Sequence, residues 1–112
     1  MIRVTIKRGA SGRIERFHAD GHAQYDEPGK DIVCAGVSAV TVGTVNAIEA
    51  LTGVQLKTRM KHGFLSADIP PAADAQTESK MQLLLEGMVI MLKSIEQSYS
   101  AYIAMQDQTS SK

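Results

Sequence analysis

The chain has no tryptophan, one cysteine, two phenylalanines and three prolines among 112 residues. A single thiol forms no internal disulfide, so a disulfide-stapled scaffold is excluded and a reducing, cytoplasmic compartment is the default expectation. With aromatics at only 4%, the core has to come from aliphatic side chains and methionine. Neither sign of charge is in excess: twelve basic residues face twelve acidic ones, so no net field favours nucleic acid or a membrane surface. No signal-peptide pattern opens the chain. The close-spaced cysteine pairs of structural zinc sites are missing too, so no metal or other cofactor is expected. What is left is an ordinary globular composition, 44% hydrophobic and 21% charged, at a length that suits one domain over residues 1–112.

What the sequence does have is periodicity. Residues 1–8 alternate Ile2, Val4 and Ile6 with Arg3, Thr5 and Lys7, the pattern of a strand with one buried face. Residues 9–12 turn the chain, and residues 13–20 return as its hairpin partner with Phe17 and Ala19 inward. Ile14 falls out of phase with them, which predicts a bulge near the turn. Residues 21–30 form a long polar loop with Pro28 and Gly29, and a loop of this length suggests function. Asp31 is placed to cap a helix by accepting the N–H of Cys34, its third residue. That helix should run to about Thr52 and stop at Gly53.

Val33, Val37, Val40, Ile48 and Leu51 make one stripe of this helix, while Gly36, Ala39, Gly43, Ala47 and Ala50 make a second of small residues. A helix apolar on nearly every side is expected at the buried centre, touching a second subunit. Its apolar run nears membrane-spanning length, but Ser38, Thr41, Thr44, Asn46 and Glu49 are costly in lipid, so no membrane is implied. Residues 54–60 and 65–69 alternate again about a Lys61-His62-Gly63 turn, and Pro70-Pro71 ends the second of them. A second helix is predicted over 78–105, from Met81, Leu84, Leu85, Met88, Leu92 and Ile95 through Tyr102 and Ile103. Residues 106–112 read as a frayed polar tail. The order ββαββα predicts an α+β, two-layer fold: a small, mostly antiparallel sheet, a central buried helix and a C-terminal helix.

The chemistry centres on GHAQYDEPGKDIVCAGVSAV, residues 21–40. A cysteine attacks as thiolate, and the first turn of a helix, with its partial positive charge, favours that form. His22 can serve as the base if the loop folds back onto the helix end, and the N–H groups of Cys34 and Ala35 are candidates for holding an oxyanion. Asp31 complicates this, because a cap that occupies the N–H of Cys34 removes it as an oxyanion donor. Ser38 lies one turn on and can reach the sulfur or a helix carbonyl. Other readings stay open: a small buried hydrophobe at Cys34, a loop hydrogen-bonder at His22, or a zinc site from His18, His22 and Cys34. His18 and His62 read as strand and turn residues.

The same stretch resembles the ribosomal-processing cysteine protease (Prp) family, through its GHA step, the glycine two residues before Asp31, and DIVCA followed by Ser38. The similarity extends through GTVNAIEALTG and LLLEGMVIMLKSIEQSY, across almost the whole chain. It implies a cytoplasmic, homodimeric endopeptidase that trims the N-terminal extension of bacterial large-subunit ribosomal protein twenty-seven after an apolar, phenylalanine-containing motif. By resemblance Cys34 is the nucleophile and His22 the proton acceptor, with Asp31 and Ser38 in support and the loop 23–30 as a cover that orders on the peptide. The partner implied is the ribosomal protein precursor, with no direct nucleic-acid binding. The rival readings are a ribosome-assembly or adaptor module that binds the peptide without cutting it, and a redox-sensing thiol, which lacks a resolving cysteine in the chain.

Overall fold

The computed structural model describes residues 1–27 and 30–110, so the expectations placed on Pro28 and Gly29 lie outside the described residues. Strand β1 (Ile2–Arg8) and β2 (Ile14–Asp20) form the first hairpin, followed by helix α1 (Ile32–Thr52). The second hairpin is β3 (Lys57–Lys61) and β4 (Phe64–Asp68), followed by α2 (Ala75–Ser98) and a final strand, β5 (Ile103–Thr109). The sheet order is β3-β4-β2-β1-β5, antiparallel throughout except for β5, which runs parallel to β1. The register of the first hairpin shifts between Lys7 and Arg8, the bulge that the phase of Ile14 requires.

Both helices lie on the sheet face that carries Ile2, Val4, Ile6, Phe17, Ala19 and Ala67, and close over it with Val33, Val37, Ile48, Met81, Leu85 and Leu92. Each fully buried aliphatic side chain contributes about 1.5–3 kcal/mol, so this aliphatic layer supplies the main stabilisation without tryptophan. α1 begins at the Asp31 cap and ends at Gly53, whose φ of 75° is the left-handed stop expected of a glycine. By length and apolarity α1 could cross a membrane. Here only one side of it is buried, through Val33, Val37, Thr41, Thr44, Val45 and Ile48. The other side, with Ala39, Gly43, Asn46 and Ala50, is exposed, so the helix is not enclosed on all sides within one chain.

The C-terminal reading also changes. α2 stops at Ser98 rather than 105, and residues expected to fray form β5. Tyr99 closes the helix by donating its N–H to the carbonyl of Ile95, and Ile103 then starts the strand fully buried. Tyr99, Tyr102 and Ile103 fit a helical spacing by coincidence, because so few residues cannot separate the two periods. Residues of β3 alternate without burying: all five are exposed, and β3 is the edge of the sheet.

Candidate active site

The start of α1 is built around Asp31. Its Oδ1 accepts the N–H groups of Val33 and Cys34, each at 3.0 Å, and its Oδ2 accepts the N–H of Tyr25 at 3.0 Å. One carboxylate thus caps the helix and ties down the preceding loop. Burial pushes this carboxyl up, but the N–H groups of Cys34 and Tyr25, the Cys34 thiol and the N–H of Asp26 outweigh it. The group is held below the ordinary aspartate value.

Cys34 sits half-buried on the first turn, and its Sγ accepts the backbone N–H of Ala23 at 3.3 Å. Gly21, at φ 93°, turns the chain out of β2, and its N–H donates to the carbonyl of Gly63 at 2.8 Å. The loop is therefore fastened to the β3–β4 turn at one end and to α1 at the other. Gln24 adopts a left-handed φ of 58°, and Tyr25 stands edge-on to Tyr99 and Tyr102 with centroids 5.6 and 5.1 Å away.

His22 and Cys34 line one cleft of about 790 Å³ between α1 and the end of the second hairpin. The imidazole is not hydrogen-bonded to Sγ. It packs instead against the ring of His62, with centroids 4.8 Å apart and planes 44° to one another. Gly63 makes this position possible: a Cβ there would lie 2.7 Å from His22 Nε2. Ser38 also lines the cleft, on the same face of α1 as the thiol. Both expected oxyanion donors are already engaged, since the N–H of Ala35 donates to the carbonyl of Asp31 at 3.0 Å while that of Cys34 donates to its side chain. The zinc ligand set is split. His18 pairs across the sheet with Thr5 and Ser66, on the face away from the helices.

Three participants escaped the sequence reading. His62 and Gly63 read from the sequence only as turn residues, and the N–H of Ala23 has no side-chain signature at all. Only the pairing of β2 with β4, which sets Asp20 opposite Phe64, brings His62 to His22.

Cys34 carries the strongest nucleophile among the residues lining this cleft, so the fold and the site define a small α+β protein whose cleft is built around a thiol. Residues 1–104 match the family described as cysteine protease Prp, and the chain belongs to that family. It is 41% identical over 101 residues to the ribosomal processing cysteine protease Prp of Bacillus subtilis, covering 88% of this chain and 90% of that protein. The protein of the same name from Staphylococcus aureus is 36% identical over 105 residues, 94% of this chain and 97% of its own. The S. aureus ribosomal processing protease Prp has been solved with a covalently linked product peptide. It superposes with a TM-score of 0.87 at 34% identity, covering 96% of this chain and all (100%) of that one. A second S. aureus structure, with a substrate peptide, gives a TM-score of 0.80 at 33% identity over the same shares of the two chains.

Proposed function

We propose that the chain is a cytoplasmic, homodimeric cysteine endopeptidase that removes the N-terminal extension of bacterial large-subunit ribosomal protein twenty-seven, cutting after an apolar, phenylalanine-containing motif. The observation that carries the reading is the contact of Ala23 N–H with Cys34 Sγ, which sets the thiol beside the residue that follows His22. His22 turns from His62 toward the sulfur as the peptide enters and takes the thiol proton. Sγ attacks the scissile carbonyl, and the Ala23 N–H passes from the sulfur to the new oxyanion, the role that the engaged N–H groups of Cys34 and Ala35 leave open. The imidazolium then gives its proton to the leaving amine, and water releases the acyl group. Met60, Leu65, Val42 and Ile2 line the cleft and offer the apolar wall such a motif needs. Support for the homodimer comes from the exposed small-residue side of α1.

The missing His22–Cys34 hydrogen bond favours one second reading, a module that binds the same peptide without cutting it. Mass spectrometry of the extended precursor after incubation separates the two. Cleavage by the wild-type chain and none by Cys34→Ala is the expected result; an intact precursor with wild-type protein sinks the peptidase reading.

A further inference from the structure

Among the described residues no helix or strand covers the sheet face turned away from α1 and α2, and its composition differs from the chain as a whole. Cross-strand register puts Lys57, Asp68, Arg16, Lys7 and Gln108 in one row. The next row holds Arg59, Ser66, His18, Thr5 and Gln106, and the third Lys61, Phe64, Asp20, Arg3 and Ala104. Arg3, Lys7, Lys57, Arg59 and Lys61 are exposed, with Arg16 half-buried among them. Two carboxylates share the face, and one of them, Asp68, is matched by Arg16 at 3.2 Å. Within these three rows six cations stand against two anions, about +4, in a chain whose formal charge is zero, so the rest of the surface carries the balancing negative charge. Burial lowers the pKa of His18 at the centre of the face, and the neighbouring Lys7 and Arg16 act in the same direction.

We infer, against the expectation of no direct nucleic-acid binding drawn from the balanced overall charge, that this open sheet face is a docking surface for RNA, recognised through its phosphate backbone without base readout. Charge complementarity carries the argument. On β3, three cations recur at every second residue, about 7 Å apart, which suits a run of phosphates along one strand. Five strands span roughly 19 Å at about 4.8 Å each. That exceeds the about 12 Å width of the B-DNA major groove, so the surface lies across a helix rather than inside it. The wide, shallow minor groove of A-form RNA with its flanking phosphates accepts such a surface. Between the charges Gln106 and Gln108 are exposed while Thr5 and Ser66 are buried, and among the described residues of this face the one large apolar side chain is the half-buried Phe64, so there is no wedge for a lipid bilayer. The choice of RNA over DNA rests on this groove geometry and on the proposed ribosomal substrate, since the cations would meet the phosphates of either. The test below reads binding without cleavage, so its failure and that of the peptidase reading are separate results.

Anisotropy of a labelled RNA hairpin is titrated with the full chain between about 50 and 200 mM salt, with a DNA hairpin of the same sequence and phosphatidylglycerol vesicles alongside. Binding in the micromolar range is expected at the low end, weakening steeply with salt. The triple variant Lys7→Gln, Lys57→Gln, Arg59→Gln should bind at least tenfold more weakly, and its log–log salt slope should be shallower by about 2. The charge-matched triple Lys30→Gln, Lys80→Gln, Lys93→Gln should bind like the wild type. Ultraviolet crosslinking of wild-type protein to the hairpin, independent of any variant's folding, should place adducts on β1 and β3. The inference is overturned by no RNA binding, equal losses in the two triples, tighter binding of the DNA hairpin, capture by vesicles alone, or adducts confined to the helices.

Discussion

At Asp31 one carboxylate oxygen receives two N–H groups of α1 and the other receives Tyr25, so the helix start and the loop share one anchor. Asp31→Ala should cost about 2 kcal/mol, the usual cap loss plus that of a buried donor left without a partner, read as a fall in denaturation midpoint. The sign of its pH dependence follows from the lowered pKa. The unfolded chain binds the proton first as pH falls, so the stabilisation is complete above the ordinary value of 3.8 and lost as pH drops through the lower folded value. Asp31→Asn should therefore flatten the acid limb of a Tm-against-pH curve, and an unchanged limb counts against the assignment. Gly63→Ala adds a Cβ 2.7 Å from His22 Nε2 at a backbone φ of 74°. About 1 kcal/mol of stability should go with it, since a left-handed φ disfavours alanine. Peptide cleavage should fall much further than stability, because the imidazole is displaced from its slot; wild-type kcat/KM in a folded variant would refute this role for the slot.

Among the elements, β5 shows what periodicity alone could not supply. Its residues Ile103 and Met105 alternate inward, but the run is short and follows directly on a helical pattern, so the helix reading absorbed it. What makes it a strand is β1, about a hundred positions earlier, whose free edge takes all seven residues in parallel. Arg8 fastens this arrangement, bonding Glu86 on α2 and Asp107 on β5 from a side chain only 14% exposed. Glu86 and Asp107 hold the Arg8 guanidinium protonated well above its ordinary range. Arg8→Ala should cost about 2 kcal/mol, as for hydrogen bonds to charged groups, and speed amide exchange in β5 more than in β2. Uniform exchange across both strands would remove the special role. By contrast α1 was legible to the residue, because an aspartate cap and a glycine stop are local signals that need no partner.

Over the whole molecule, one side is the cleft between α1 and the second hairpin, one is the open sheet face, and a third is the bare stripe of α1 with Ala39, Gly43 and Ala50. If that stripe is the subunit contact, Ala39→Glu should shift sedimentation from dimer to monomer with the fold intact; an unmoved sedimentation coefficient places the contact elsewhere. By itself the sequence determined the α+β order through its first two hairpins and helices, the cap at Asp31, and the thiol and imidazole that the cleft receives. Those follow from periods of two and of 3.6 and from residue types fixed within a few positions of one another. Tertiary structure alone decided that His62 and Gly63 flank His22, that the backbone of Ala23 reaches the sulfur, and that six cations of a neutral chain lie on one face. Each depends on which strands become neighbours, and that is set by the packing of the sheet as a whole, beyond what any local pattern encodes.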